Sequence, residues 1–298
     1  MSAAPKRQLQ TAYEARRYDP SQSLEERIRT AIFRYLAVDL GLGRDLAEAR
    51  ANREISGVIG REACNELAQL GIVLTASRVV DLGTGLGGFA AELAGRGARV
   101  IALEPGEGWY KIAAARLYGY ATSSVVAAVG ELIPLASESV DLIVSLQVLE
   151  HVSSPKAVIQ EAFRILKPGG YFYFSYENYF SFWEPHYRLP WLPLLPKLLG
   201  SIYLRILHRD PRFLNESITY TTYHTVRKFA RQTGFACMRR ESAIASLTSP
   251  LKTSLKWRTL KSLGKLSKSA PLGLLAAVDY SRHVMRTGIY ECFRKPVG

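Results

Sequence analysis

Four glycines stand where a backbone could wrap a ligand. The segment VVDLGTGLGGFAAEL places Gly83, Gly85, Gly87 and Gly88 between an apolar run and an amphipathic run. Glycine lets the chain turn tightly and approach a ligand without an intervening Cβ, and a helix that starts there offers free N–H groups. Because the order Gly83-x-Gly85-x-x-Gly88 also fits a dinucleotide loop, the glycines alone leave the ligand class open.

Two carboxylates narrow the ligand class. Asp81 stands two residues before Gly83, where a dinucleotide-binding strand normally carries an apolar residue, and a carboxylate there suits a cationic ligand group. Glu104 ends the next apolar run, 21 residues beyond Gly83, where an acid can accept hydrogen bonds from both hydroxyls of a ribose. The pair therefore indicates a nucleoside ligand that carries a positive charge.

The elements that must position these residues alternate along the chain. Short apolar runs predict strands, and helix-sized segments that end near glycine separate most of them. Such alternation predicts an α/β fold with a parallel sheet covered on both faces. The predicted strands are residues 78–82, 99–103, 124–129, 140–146, 171–176, 235–241 and 289–295.

Three parts of the chain follow from this pattern. Residues 1–77 are predicted to be a helical lead-in, and residues 78–241 the core. Within the core, residues 177–215 are aromatic and proline-rich, and Pro190, Pro193 and Pro196 predict a loop or lid there. Residues 242–298 are predicted to add a basic helical insertion and a last strand to the same domain.

Three more motifs follow in order: GELIPLASESVDLIV at 130–144, LEHV at 149–152 and LKPGG at 166–170. With Asp81 and the glycine loop, they resemble class I S-adenosylmethionine-dependent methyltransferases, in the small-molecule branch that includes ubiquinone and menaquinone biosynthesis enzymes. The resemblance implies a doubly wound, Rossmann-like, mostly parallel sheet with an antiparallel last strand. A weaker resemblance links the aromatic lid to methyltransferases of glycan and lipopolysaccharide assembly.

The resemblance also implies that S-adenosyl-L-methionine is the cofactor. Its methionine portion would bind to Asp81 and the glycine loop, and its ribose would bind to Glu104. Its adenine would lie against residues 130–132, and Leu146 would lie beside the cofactor. Val129 departs from the family pattern, which often has Asp or Asn there, so Glu131 or backbone carbonyls would replace that contact. The implied cofactor residues are Asp81, Gly83, Thr84, Gly85, Gly87, Glu104, Gly130, Glu131, Leu132 and Leu146.

His151 and His186 are the candidate general bases, since a histidine is suited to proton transfer near neutral pH. The reaction itself requires no metal. LEHV could equally position a helix, and His186 could be bonded within its own loop. The candidate acceptor-binding residues around them are Glu150, Tyr176, Asn178, Trp183, Glu184 and Tyr187, and Glu177 belongs only to the wider set of possible bases.

Several acceptors are opposed by what the sequence contains. LQVLEHV occupies the place of the DPPY- or NPPY-like motif of base-amino methyltransferases, and the core lacks interleaved basic residues, so nucleic acid is not expected. The expected acceptor is a small molecule, lipid or lipid-linked glycan, methylated on a hydroxyl. Three alternatives stay open: ring C-methylation of a quinone or lipid, a non-catalytic cofactor-binding protein, and an NAD-dependent oxidoreductase, which Asp81, LEHV and LKPGG oppose.

The net charge of +13 is concentrated near the C-terminus, because residues 251–298 hold 10 Lys and Arg against 2 Asp and Glu. In WRTLKSLGKLSK, Arg258, Lys261, Lys265 and Lys268 would share one helical face, which predicts peripheral contact with an anionic membrane. Cys64, Cys237 and Cys292 form no disulfide or zinc pattern, and no apolar span is evident. These features predict a cytoplasmic protein.

Overall fold

The computed structural model describes residues 23–238 and 286–297, and within it the chain divides between Ser56 and Gly57. In the first unit, α1 (Leu24–Arg34) begins at a capping box in which Ser23 and Glu26 satisfy each other's backbone N–H groups. A π-helical turn (Tyr35–Asp39) follows α1, and α2 is Arg44–Ser56. Buried Ile28, Ile32, Leu36, Ala47 and Ala51 line this helical unit.

The second unit begins earlier than the predicted core, because α3 (Val58–Gln69) packs on α4 (Gly88–Gly95). A Cβ on Gly60 would lie only 3.4 Å from the Phe89 Cα, so glycine permits this close helix contact. Glu66 of α3 also accepts a 2.7 Å hydrogen bond from the Tyr173 hydroxyl of the sheet. The division therefore falls before α3 and not at residue 78.

A seven-stranded sheet forms the centre of the second unit, in the order β3-β2-β1-β4-β5-β9-β8. Strands β1 to β5 run parallel, and β9 runs antiparallel to both β5 and β8. The predicted mostly parallel sheet with an antiparallel last strand is confirmed. The strands are β1 (Arg78–Leu82), β2 (Arg99–Leu103), β3 (Ser124–Val126), β4 (Val140–Leu146), β5 (Leu166–Glu177), β8 (Ala236–Met238) and β9 (Gly288–Arg294).

Helices cover both faces of the sheet, as the continuous apolar strands require. On one face, α3 and α4, through residues such as Leu93, pack against Val79 and Val144 of the sheet. On the other face, Val158 and Val226 belong to a second core cluster. The remaining crossover helices are α5 (Glu107–Leu117), α6 (Pro155–Ile165) and α9 (Tyr223–Thr233). None of the described helices combines the length and hydropathy needed to cross a membrane.

The lid contains more regular structure than the sequence predicts. Residues 183–184 (β6) and 189–190 (β7) form a two-stranded ladder, and the helices α7 (Lys197–Ile206) and α8 (Arg212–Ser217) follow. Pro196 does not prevent α7, because it stands just before the first helical residue, where a proline costs no hydrogen bond. The fifth strand is also longer than the predicted 171–176, since β5 already begins at Leu166 and includes LKPGG.

Candidate active site

The glycine loop joins β1 to α4 in a conformation that L-residues rarely adopt. Gly83, Gly85 and Gly87 have φ values of +68°, +55° and +75°. A Cβ on Gly83 would lie 2.5 Å from Val148 Cγ2, and one on Gly87 would lie 2.9 Å from the Ala113 Cα. At Gly85 the nearest atom to such a Cβ belongs to the Trp109 ring at 3.7 Å, an ordinary van der Waals distance, so no protein atom crowds this position, whereas packing requires glycine at the other two.

Asp81 and Glu104 hold the loop from two neighbouring strands. Asp81 is the last residue but one of β1, and its Oδ2 accepts a 2.6 Å hydrogen bond from the Thr84 hydroxyl. Glu104 follows β2 and accepts from the backbone N–H groups of Gly85 and Gly106, both at 2.9 Å. Both carboxylates are buried. They therefore lie at the carboxyl edge of the sheet, where ligands of such folds bind.

Burial dominates the electrostatics of Asp81. It raises the pKa of this carboxyl to about 7, while the hydrogen bonds from Thr84 and the Ala90 backbone oppose the rise. The nearby Glu104 raises it further. Asp81 is therefore partly protonated near neutral pH, and a cationic ligand group would favour its ionised form.

The segment predicted to flank adenine is placed after β3. Gly130 is buried, and a Cβ there would lie 3.2 Å from Leu82 and Val158 side-chain atoms, whereas Leu132 is exposed. Glu131 accepts hydrogen bonds from the Ser153 and Ser154 backbone N–H groups, at 2.8 and 3.2 Å. Its Oε1 is thus engaged at the start of α6, while the contact of Glu131 with the adenine stays a prediction.

Trp109 adds a side chain that the sequence analysis missed. Its ring stands beside the loop, since Cβ atoms built on Gly85 and Gly106 would lie 3.7 and 2.9 Å from its atoms. The only sequence signal was its position five residues after Glu104, at the start of a predicted helix. Leu146, the last of the predicted cofactor residues, ends β4 and pairs with Ser175.

The two candidate bases lie together although 35 residues separate them. The ring centroids of His151 and His186 are 5.3 Å apart, and Phe213 of α8 packs within 6 Å of both. His151 Nδ1 donates to the Ser217 carbonyl at 2.9 Å, so its Nε2 is left as the basic nitrogen. Burial of the ring lowers the pKa of His151, which keeps it neutral near pH 7.

The Glu184 carboxylate contacts the His186 ring. This fully buried carboxylate lies 2.9 Å from His186 Nδ1 and accepts from the Tyr179 hydroxyl at 3.0 Å and the Tyr187 backbone N–H at 2.5 Å. A carboxylate on Nδ1–H fixes the tautomer, leaves Nε2 available for a proton, and stabilises the imidazolium that results. Glu184, predicted to bind the acceptor, thus contacts one of the two candidate bases, and its role toward the acceptor stays a prediction.

A pair of buried carboxyls lies beside the histidines. Burial, and then the proximity of Glu177, raises the pKa of Glu150 to about 8, and burial raises the pKa of Glu177 to about 7. With its amide nitrogen turned toward them, Gln147 donates to Glu150 Oε1 at 3.1 Å and to Glu177 Oε1 at 2.5 Å. Gln147 has φ +58°, a strained geometry at the end of β4 that no sequence pattern indicated.

Four other predicted acceptor contacts have structural partners. Tyr176 is fully buried in the core and stacks near Phe174, on the face of β5 opposite Glu177. Asn178 accepts from the backbone N–H groups of Phe180 and Tyr223, and Tyr187 donates to the Asp210 carbonyl. Trp183 pairs with Pro190 in the short ladder. Tyr176 thus belongs to the core, whereas Asn178, Trp183 and Tyr187 have partners within or next to the lid.

The same cluster contains metal-ligand types. Glu150, His151 and His186 each offer a ligand atom, and these atoms lie within 4.8 Å of one another. Among the described residues Glu150 Oε2 has no hydrogen-bond partner. A divalent ion there would occupy the histidine nitrogens that a proton transfer needs.

The comparisons with known proteins agree with this geometry. Residues 80–174 match a family model described as a methyltransferase domain. That interval runs from β1 into β5 and includes the glycine loop, Glu104 and LEHV. Residues 80–174 therefore carry a methyltransferase domain.

Relatives of the domain include small-molecule enzymes. The chain is 35% identical over 109 residues to a ubiquinone biosynthesis O-methyltransferase of Hahella chejuensis, covering 35% of this chain and 45% of that protein. It is 39% identical over 102 residues to the biotin biosynthesis bifunctional protein BioHC of Cellvibrio japonicus, covering 34% of this chain and 20% of that protein. The chain thus spans less than half the length of these two relatives.

Solved structures support the fold. A Galdieria sulphuraria protein described as a sarcosine dimethylglycine methyltransferase superposes with a TM-score of 0.53 at 21% identity, covering 82% of this chain and 88% of that one. A phosphoethanolamine N-methyltransferase of Haemonchus contortus, solved with S-adenosylhomocysteine, gives 0.51 at 15% identity, covering 79% and 52%. At these identities the likeness concerns the methyltransferase fold alone.

The methyltransferase domain fits the cofactor of its family. Asp81 offers a buried carboxylate to a cationic group, and Glu104 retains lone pairs for hydroxyl donors beyond its two backbone bonds. Gly85 is the loop glycine at which an added Cβ would meet no protein atom closer than 3.7 Å, so a ligand could approach its backbone closely. These residues would hold S-adenosyl-L-methionine, whose sulfonium makes its methyl group electrophilic.

Proposed function

We propose that the chain transfers the methyl group of S-adenosyl-L-methionine to a hydroxyl of a small molecule, with His186 as the general base. The observation that carries this proposal is the buried Glu184 carboxylate on His186 Nδ1, next to the second histidine. A hydroxyl must lose its proton as it attacks, and a neutral imidazole held in one tautomer is suited to accept it.

Each part of the chain has a separate task in this reaction. Asp81, Glu104 and the glycine loop bind the cofactor, so that donor and acceptor meet in line. His186 takes the acceptor proton at Nε2, and Glu184 stabilises the imidazolium that results. His151 is neutral beside it and would hydrogen-bond the acceptor or share the proton.

The acceptor is expected to be neutral or cationic. The Glu184 carboxylate contacts His186, and the raised-pKa carboxyls of Glu150 and Glu177 lie nearby. An anionic group placed next to Glu184 would be repelled by it and would push Glu150 and Glu177 further toward their neutral forms. Similarity to a ubiquinone biosynthesis O-methyltransferase supports a hydroxyl acceptor, and the aromatic lid supports a lipid or a lipid-linked glycan. Ring C-methylation of a quinone or lipid is the alternative that would not need the Glu184–His186 pair.

Peripheral membrane contact through Arg258, Lys261, Lys265 and Lys268 is part of the proposal. These residues lie outside the described ranges, so the structure adds nothing to the sequence pattern. Replacing all four by Gln should weaken sedimentation with anionic vesicles, because a basic residue at such a surface contributes about 1 kcal/mol. Unchanged sedimentation would remove this contact from the proposal.

Two measurements test the function in sequence. Isothermal titration with S-adenosyl-L-methionine should show binding to the wild type and weak or absent binding to Asp81→Ala. Lipid and glycan extracts incubated with methyl-labelled cofactor should then gain label. Binding without label transfer to any extract would favour a non-catalytic cofactor-binding protein, and the absence of binding would remove the proposed function altogether.

A further inference from the structure

Helix α7 exposes a row of large apolar side chains that its packing does not use. Leu198, Leu199, Ile202 and Ile206 are 73%, 51%, 45% and 69% exposed. At 100° per residue they fall within an arc of about 100° on one side of the helix. We call these four residues the apolar face of α7.

The opposite side of α7 already anchors the helix. Leu204 is buried with Trp191, Leu214 and Ile218, and a Cβ on Gly200 would lie 2.8 Å from the Trp191 ring. The helix therefore keeps its place in the lid without any contribution from the apolar face. Contiguous exposed apolar residues of this kind mark an interaction site.

The charges around the apolar face are basic. Residues 188–212 contain five Arg and Lys and a single acidic residue, Asp210, which pairs with Arg212 at 2.6 Å. Arg205 lies on the helix at the border of the apolar face, next to Ile206 in the sequence, and both Arg205 and Arg209 are exposed. An amphipathic helix with apolar residues on one side and basic residues at its border suits the interface of an anionic bilayer.

The helix also lies close along the chain to the reacting groups. Six residues separate Ile206 from Phe213, whose ring centroid is 5.2 Å from that of His186. The Tyr187 hydroxyl bonds to Asp210 and accepts from the Leu214 N–H, which ties the segment between α7 and α8 to the histidine loop. A bilayer on the apolar face would thus lie next to the acceptor side of the site.

We propose that the apolar face of α7 docks the protein on an anionic lipid bilayer, with Arg205 and Arg209 at the headgroups. This contact is separate from the one proposed for residues 258–268. For the proposed function it implies an acceptor that is drawn from the membrane. Docking itself is measured without turnover, so its failure would leave the proposed methyl transfer untouched.

The test is co-flotation of the full chain with vesicles of phosphatidylcholine alone or with added phosphatidylglycerol. The wild type should float with the anionic vesicles at low salt and much less with the neutral ones. Leu198→Gln with Ile206→Gln should weaken binding about tenfold or more. Arg205→Gln with Arg209→Gln should weaken it about fivefold for each charge removed and reduce its salt dependence.

Val73→Gln with Val297→Gln is the matched control, because these residues are 70% and 69% exposed and lie near Lys167 at the other end of the strands. It should bind vesicles like the wild type. Equal losses in the control and the α7 variant, no effect of the α7 substitutions, or no flotation of the wild type would each overturn the proposal. So would a dimer that the α7 substitutions dissociate, since a second copy would then cover the face.

Discussion

The cofactor half and the acceptor half of the site differ in what holds them. In the cofactor half, backbone N–H groups and carboxylates within 25 residues of one another fix the loop, and its glycines meet neighbouring backbone and side-chain atoms. In the acceptor half, His151 depends on Ser217, 66 residues away, and His186 on a carboxylate inside the lid. The first half is therefore set by local chain geometry, and the second by how the lid packs.

The largest expected effect lies in the acceptor half. His186→Ala should lower kcat by about 10²- to 10⁴-fold, because the acceptor hydroxyl loses its proton acceptor. Cofactor affinity should be unchanged. Turnover of methyl-labelled cofactor measures the first quantity and isothermal titration the second.

His208→Asn is the control, since His208 is an exposed lid histidine with φ +56°, a conformation that asparagine tolerates. Full turnover in His186→Ala with a loss in His151→Ala would move the base role to His151. Full turnover in both would favour a carbon or nitrogen acceptor.

The next effect tests the cofactor half. Gly85→Val should weaken S-adenosyl-L-methionine binding at least about 100-fold, because a β-branched residue is strained at φ +55° and its side chain would enter the space proposed for the cofactor beside Trp109. Titration calorimetry measures the affinity. Gly87→Ala should instead lower the melting temperature, since its Cβ would meet the Ala113 backbone. Wild-type affinity in Gly85→Val would contradict the assignment of the loop.

A smaller effect tests whether Glu184 supports His186 in the acceptor half of the site. Glu184→Gln should lower kcat at least about tenfold with little change in KM, because the imidazolium of His186 loses its carboxylate partner. Tyr179→Phe removes only one hydrogen bond to the same carboxylate and should cost less. Added EDTA should leave the kcat of each variant relative to the wild type unchanged. A rise in KM alone would show that Glu184 contacts the acceptor directly.

These two halves also explain what the sequence could predict. The alternation of strands and helices, and the positions of Asp81, Glu104 and the glycine loop within it, follow from local sequence patterns. The structure places the two carboxylates and the loop at one edge of the sheet. The Glu184–His186 pair and the Ser217 contact arise from tertiary packing of the lid, and the strained Gln147 from contacts at the end of β4, neither of which has a sequence period. For the same reason α7 was missed, because Pro193 and Pro196 concealed the amphipathic run that begins at Lys197.

The smallest expected effect is the number of protons released when the cofactor binds. Because burial places the pKa of Asp81 at about 7, this carboxyl is about half protonated at pH 7, and a cationic ligand group lowers its pKa. Cofactor binding at pH 7 should therefore release about half a proton, and affinity should rise with pH through this range. Calorimetry in two buffers of different ionisation enthalpy measures the release. Proton uptake, or equal release in Asp81→Asn, would contradict the contact.

The most direct test of the central claim is to locate the transferred methyl group. Wild type and His186→Ala would be incubated with trideuteromethyl-labelled S-adenosyl-L-methionine and a membrane extract, and labelled products analysed by mass spectrometry and NMR. The account predicts a wild-type product whose labelled methyl is bonded to oxygen, formed about 10²- to 10⁴-fold more slowly by the variant. A labelled methyl on carbon or nitrogen, formed equally well by both proteins, would contradict it.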